Sequence, residues 1–430
     1  MFYYSTNKQS SKADFREATI NGQAPDKGLY FPEHMPTVPA EMLSNLAGYS
    51  KEEIAYTVIE PYVGDTISKT TLQKIVSETI NFDFPLVAVN ENISALELYH
   101  GPTLAFKDVG ARFMSRCLGH FVQDNSRNVT VLVATSGDTG GAVANGFYDV
   151  DGVNVVILYP SGKVSSVQEL QLTTLGKNIR AIEVNGTFDD CQQLVKQAFS
   201  DTGLNEQVFL TSANSINVAR WLPQQFYYFF ALRQWQESEP PVICVPSGNF
   251  GNICAGLLAH VSGLPVKHFI AACNANDVVP RYLNNGTYET RSSVSTLSNA
   301  MDVGNPSNFT RILEMFRHSF PEIKDVLSSI SVSDELTRQT LKSVLEKYDY
   351  LTDPHGAVGY YALEQYLQQH PGDKGIFLET AHPIKFYDVV EPITEKTITK
   401  PDVVTAILKK TKMSFQMAND YSMLKDYLVS

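Results

Sequence analysis

Cysteine is scarce: the chain holds five in 430 residues (Cys117, Cys191, Cys244, Cys254 and Cys273), an odd number with no CxxC pair. That usage supports neither a disulfide frame nor a zinc site, and it reads as the reduced thiols of a cytoplasmic protein. Positive charge is also short, with 34 Lys plus Arg against 46 Asp plus Glu and a net charge of −12. Such a chain has no broad attraction for a phosphate backbone, so nucleic acid is not an expected partner. No apolar run approaches the ~18–20 residues that cross a bilayer, so no membrane partner is expected either. The opening MFYYSTNKQSSKADFREAT lacks the apolar core and small-residue cleavage site of a secretion signal. Internal repeats and low-complexity linkers are missing too. What remains is a globular composition, 43% apolar and 19% charged, long enough for two or three domains. These exclusions point to a soluble, acidic, intracellular enzyme.

Residues 1–95 contain helical stretches, 52–59 and 72–80 among them, without a regular strand–helix alternation. They read as an N-terminal helical region. Short, nearly all-apolar runs follow at 129–135 (VTVLVAT), 153–159 (VNVVILY) and 179–184, then at 241–246 (PVICVP), 268–273 and 375–379. Helical patterns lie between or after them, at 189–200, 218–235 and 357–367, and another is capped by Ser333 and reaches Tyr348. Buried strands alternating with helices imply parallel sheets covered on both faces. The expected fold class is α/β: two adjoining α/β units with a cleft between them, preceded by the N-terminal region. The expected divisions are 1–95, 96–235, 236–390 and a C-terminal tail, 391–430, without an interpretable motif.

Three local features carry chemistry. Residues 242–256 read VICVPSGNFGNICAG, a buried strand that runs into a glycine turn and a helix of small residues. Glycine lets successive N–H groups and the helix's positive end converge on one anion, and a phosphate fits. The loop is neither a Walker loop nor GxGxxG, and alone it is equally an ordinary strand–helix turn. Residues 134–141, ATSGDTGG, form a second such loop, whose Ser136, Thr139 and main-chain amides suit a carboxylate. Asp138 would oppose an anion there, unless it points at a cation or simply caps the helix. The third feature is Lys107, in YHGPTLAFKDVGARF at 99–113. An amine among apolar neighbours loses charge stabilisation, so its pKa falls and it becomes a usable nucleophile. The plain alternative is a surface lysine paired with Asp108. One reactive amine, one phosphate cradle and one carboxylate loop are the parts needed to hold pyridoxal phosphate together with an amino acid.

With these residues in place, the sequence resembles the threonine synthase family, bacterial and fungal type, among the fold-type II pyridoxal-phosphate enzymes. The matching strings are HGPTLAFKDVGARF (100–113), ATSGDTG (134–140), PSGNFGN (246–252), TLSNAMDV (296–303) and TAHPIKF (380–386). DKGLYFPE (26–33) and NSINVARW (214–221) are similar as well. The resemblance implies that Lys107 carries pyridoxal phosphate covalently and later moves protons. It implies that Gly248, Asn249, Phe250, Gly251 and Asn252 hold the cofactor phosphate and that Thr380 faces the pyridine nitrogen. A hydroxyl there shares a hydrogen bond but is no strong acid, so the ring stays a moderate electron sink. Thr135, Ser136, Gly137, Asp138, Thr139 and Gly140 would hold the substrate carboxylate. Asn252 stands where many members carry Asp, a change to which a backbone cradle is indifferent.

The activity implied is conversion of O-phospho-L-homoserine and water to L-threonine and phosphate, by γ-elimination and β-addition of water. The leaving phosphate then needs its own cationic clamp. Arg112, five residues after Lys107, is the first candidate, with donors from the Ser/Asn-rich stretch 295–308. His100, His355 and His382 read as structural, His355 being the best placed for proton transfer. The aromatic cluster at 226–230 (FYYFF) reads as core. Two competing readings stay open. One is a related lyase, a threonine/serine dehydratase or a phosphohomoserine lyase giving 2-oxobutyrate. The other is a non-catalytic phosphoamino-acid-binding protein, which would keep the 248–252 loop without needing Lys107.

Overall fold

The structure, a computed structural model, describes residues 1–123 and 128–430. Strands β1 (Phe2–Ser5), β2 (Ala13–Asp14) and β3 (Tyr30–Pro32) form a small antiparallel sheet in the order β2-β1-β3. Next come the two expected helices, Lys51–Val63 and Lys69–Thr79. Ser50 and Glu53 close a reciprocal capping box on the first, and the Ser68 side chain caps the second. Their buried faces join one continuous core with the helix Lys107–Val122 and the aromatic helix Gln225–Gln234. Phe15 meets Phe113 at 6.4 Å between ring centroids, so the N-terminal region packs on the helix that begins with Lys107.

Strands β4 (Leu86–Ala88) and β5 (Ile93–Glu97) then form a short antiparallel pair. Strands β6 (Val129–Ala134), β7 (Val153–Pro160), β8 (Ile179–Asn185) and β9 (Phe209–Thr211) follow, then β10 (Val242–Pro246), β11 (His268–Cys273), β12 (Leu327–Ser331), β13 (Gly375–Glu379) and β14 (Phe415–Ala418). Two sheets result. One has six strands in the order β12-β11-β10-β13-β5-β4, parallel except at β4; the other has five parallel strands in the order β14-β8-β7-β6-β9. The α/β class and the parallel sheets agree with the sequence pattern.

The expected divisions need correction at both ends. A boundary at 95/96 falls inside β5, which pairs with β13 through Glu97↔Glu379 and so belongs to the sheet of the second unit. Residues 391–430 are no loose tail. They supply β14, which pairs with β8, and a helix, Tyr421–Val429, whose Leu424 is buried against the same sheet. The physical reason is the same in both cases. Each strand is short and finds its partner far along the chain, so no local alternation announces it. The helix expected at 218–235 is also broken, by a 3₁₀ turn at Leu222–Gln224 that contains Pro223.

Lys412 fastens the C-terminal segment. Its amine lies 2.6 Å from Glu169 Oε1 and 2.7 Å from Glu183 Oε2. Burial alone would raise the Glu183 carboxyl, but Lys412 and the Ser161 hydroxyl hold it at about 2. A group depressed in this way contributes stability above its ordinary carboxylate range, and the contribution fades as pH falls toward the folded value. Lys412→Met is therefore expected to cost about 1–2 kcal/mol at neutral pH, discounted for the lysine's partial exposure. Urea unfolding at pH 7 and pH 4 checks this, and the gap between variant and parent should narrow at the lower pH.

Candidate functional site

Strands β10, β13 and β5 are neighbours and run parallel, so their carboxyl ends open side by side. Three of the marked segments leave those ends: residues 247–252 after β10, Thr380 after β13, and the stretch to Lys107 after β5. The 135–140 loop leaves β6 of the other sheet. A cavity of about 1070 Å³ lies where these segments meet, and Lys107, Thr135, Gly248, Asn252 and Thr380 all line it. Sites at the carboxyl ends of parallel strands are the general rule for such sheets.

Lys107 opens the helix Lys107–Val122. Asp108 does not pair with it; that carboxylate turns back to accept from Thr103 N at 2.9 Å and Thr103 Oγ1 at 2.5 Å. Burial pushes the Lys107 amine below its ordinary value, Asp138 opposes the shift, and Lys385 and Arg220 reinforce it. The amine is therefore poised toward its neutral, nucleophilic form. The backbone just before it is held as well. Phe106 N donates to Thr380 O at 2.9 Å, and the Tyr227 hydroxyl donates to Phe106 O.

The 247–252 loop has the shape of an anion cradle. Any Cβ at Gly248 would lie 2.6 Å from the Cα of Met301, so only glycine lets the two backbones approach. Phe250 takes the left-handed conformation, φ 60°, and caps the helix Gly251–Val261. Asn249 organises the loop: its Nδ2 donates to Ser215 Oγ at 2.8 Å and its Oδ1 accepts from Ser307 N at 2.7 Å. Asn252 accepts the Tyr228 hydroxyl on Oδ1 at 2.9 Å, while its Nδ2 is buried with no partner among the described residues. An orphaned buried donor in a cavity wall beside a helix start suits an anion such as the cofactor phosphate.

The second loop is tighter than the sequence implies. Gly137 N and Gly140 N both donate to Thr135 Oγ1, at 2.9 and 2.8 Å, so those two amides serve the loop itself. Ser136, Asp138 and Thr139 line the cavity beside Thr135, whereas Gly137 and Gly140 shape the turn behind them. Asp138 is not a helix cap; Gly137 stands at that position. Instead Asp138 Oδ1 lies 2.8 Å from Lys385 Nζ and accepts from Gln168 Nε2 at 2.9 Å. Burial would raise the Asp138 carboxyl, but Lys385 and Lys107 outweigh it and hold it well below the usual carboxylate range. Lys385 is 0% exposed and donates also to Thr103 O at 2.8 Å.

Arg112 is a correction. It does not line the cavity; its Nη2 donates to Glu78 O at 2.5 Å and Asn81 Oδ1 at 3.0 Å. Five residues along a helix turn a side chain about 140° from its starting direction, so Arg112 faces away from Lys107. Arg220, Lys196, Lys27 and Arg291 are the other cations in the cavity wall. Of the stretch 295–308, residues 299–307 line the cavity. His100 pairs with Glu97 at 2.7 Å, and His382 accepts from Ile384 N at 3.1 Å, both structural roles. His355 lines the cavity wall.

Similarity to known proteins agrees with this geometry. Residues 84–378 match the family described as pyridoxal-phosphate dependent enzyme, residues 2–80 match threonine synthase N terminus, and residues 356–428 match threonine synthase, C-terminal. A threonine synthase of Buchnera aphidicola is 43% identical over 100% of both chains. The chain belongs to the threonine synthase family. The crystal structure of threonine synthase from Escherichia coli superposes with a TM-score of 0.93 at 41% identity, covering 100% of this chain and 99% of that one. The pyridoxal-phosphate-bound threonine synthase of Brucella melitensis gives 0.92 at 34% identity, with the same coverage. This threonine synthase family member is thus a fold-type II, pyridoxal-phosphate-dependent lyase.

Sequence reasoning missed Lys385, Tyr227 and Tyr228. Lys385 lies inside TAHPIKF, and a lysine in an otherwise apolar string was the available signal. The tyrosines lie inside FYYFF, a core cluster as read, whose two hydroxyls also prop Phe106 and Asn252. The buried pair generates a test. Lys385→Met strands the Asp138 carboxylate and should cost about 3–5 kcal/mol in urea unfolding. Adding Asp138→Asn should recover a large part of that loss, whereas a double variant no more stable than Lys385→Met would show that the pair does not act through charge.

Proposed function

We propose that this enzyme converts O-phospho-L-homoserine and water to L-threonine and phosphate in the cytoplasm, where its five buried, unpaired thiols stay reduced. The observation that carries the reading is the convergence on one cavity of an amine depressed by burial, a cradle with an orphaned donor, and a carboxylate loop. Lys107 is the covalent attachment point for pyridoxal phosphate. Gly248, Asn249, Phe250, Gly251 and Asn252 hold the cofactor phosphate, with Asn249 acting through the loop it pins. Thr380 meets the pyridine nitrogen. When bound, pyridoxal phosphate supplies the electron sink that lets protons leave Cα and Cβ and phosphate leave Cγ.

The chain's own groups do the rest. Thr135, Ser136, Asp138 and Thr139 present the substrate carboxylate side of the cavity, with Gly137 and Gly140 fixing the turn. The Lys107 amine, its pKa lowered by burial, removes and returns protons along three adjacent carbons. With Arg112 turned away, Arg220, a cation in the cavity wall that together with Lys385 lowers the Lys107 pKa, meets the substrate phosphate.

Borohydride reduction of the holoenzyme followed by peptide mass mapping should place the cofactor on Lys107. The same holoenzyme should release threonine and phosphate in equal amounts from O-phospho-L-homoserine, and Lys107→Ala should release neither. Accumulation of 2-oxobutyrate in place of threonine would return the reading to a related lyase.

A further inference from the structure

We propose that His355 is a positioning residue for the cofactor slot: its Nε2 holds the main-chain amide of Ala300, and through it the wall that closes against Gly248. Ala300 N donates to His355 Nε2 at 3.2 Å. A main-chain N–H can only donate, so Nε2 must present its lone pair. The other nitrogen, Nδ1, lies 2.6 Å from Asp353 Oδ2, a carboxylate that accepts its proton. The ring is therefore fixed in one neutral tautomer, with Nδ1 protonated and Nε2 free to accept.

The brace continues inward. Asp353 Oδ1 accepts from Gly356 N at 2.6 Å and caps the helix Pro354–Gln369, while Asp353 N donates to Glu379 Oε1 at 2.7 Å. Asp353 and Glu379 are both 0% exposed, and His355 is 3% exposed. Glu379 immediately precedes Thr380. One chain of contacts, Ala300–His355–Asp353–Glu379, thus runs from the wall of the 247–252 cradle to the residue beside Thr380.

The wall needs holding at that point. Ala300 and Met301 line the cavity and press on Gly248, where an added Cβ would lie 2.6 Å from Met301 Cα and 3.1 Å from Ala300 O. The flanks of this segment are anchored elsewhere: Leu297 N donates to Asp334 Oδ1 at 3.1 Å, and Asn274 Nδ2 donates to Asp302 Oδ1 at 2.9 Å. His355 holds the middle. The inference rests on the proposed placement of the cofactor phosphate in the 247–252 cradle, and the experiment separates the two.

Apoprotein is titrated with pyridoxal phosphate, followed by absorbance, for the parent, His355→Leu, His355→Gln and Gly248→Ala. His355→Leu also takes the partner from the buried Asp353 carboxylate, so the apoprotein should melt below the parent; at a temperature where it is still fully folded it should bind at least about tenfold more weakly. His355→Gln keeps an acceptor for Ala300 and should stay within about threefold of the parent. Parent-like binding by His355→Leu, or binding by His355→Gln as weak as by His355→Leu, overturns the brace. Parent-like binding by Gly248→Ala overturns the cradle placement instead. Should the leucine variant fail to fold, ¹⁵N spectra of the parent holoenzyme decide: an unprotonated His355 Nε2 supports the brace, and an Nε2–H tautomer overturns it.

Discussion

A lysine and an aspartate that share almost no solvent, Lys385 and Asp138, set much of the geometry around Lys107. Taking two such charges out of water is unfavourable unless each finds close partners. Here each does: Lys385 reaches Asp138 and the Thr103 carbonyl, and Asp138 also accepts from Gln168. The three segments tied in this way are the turn after β6, the approach to Lys107 and the stretch after β13. They come from both sheets, so the pair fixes how the sheets meet across the cavity. It also shapes reactivity. Asp138 favours the charged form of Lys107, while Lys385, Arg220 and above all burial disfavour it, and the net effect lowers the amine's pKa from its ordinary value.

The sheet order explains why so few residues suffice. Because β10, β13 and β5 are adjacent and parallel, the loops that follow them need no long excursions to converge. The aromatic helix Gln225–Gln234 runs behind two of those loops, and its hydroxyls bind Phe106 and Asn252 from the core side. A buried tyrosine that needs a partner finds one in the backbone of the site, so core packing and site geometry are satisfied by the same side chains.

What could be read from the sequence was local. Lys107 and the two glycine loops each sit in a string whose chemistry is visible within a few residues, whereas Thr380 was marked only by the family resemblance. What escaped depends on direction or on distance along the chain. Arg112 is near Lys107 in sequence but points elsewhere, because helix geometry turns it. Asp138 left two readings open, and its cation comes from the far end of the chain. Strands β5 and β14 were invisible for the same reason, since a strand of four or five residues is defined by its partner rather than by its own composition. The Lys412 fastening of the C-terminal segment belongs to this class too.

Glu379 and Thr380 show how an acid can stand one residue from the site and yet stay out of its chemistry. Successive side chains leave a strand end in opposite directions. Thr380 faces the cavity; Glu379 faces inward, accepts Asp353 N and lies so close over Gly356 that an added Cβ there would come within 1.5 Å of its Oε2. Burial, with Asp353 beside it, raises its carboxyl well above the usual range. In the proposed arrangement the ring nitrogen thus meets a hydroxyl, although the chain carries a carboxyl at the neighbouring position. A hydroxyl that shares a hydrogen bond without delivering a full proton leaves the electron sink moderate. Such a sink suits a reaction that must carry electrons past Cα to reach Cβ and Cγ, and the burial of Glu379 is what preserves it.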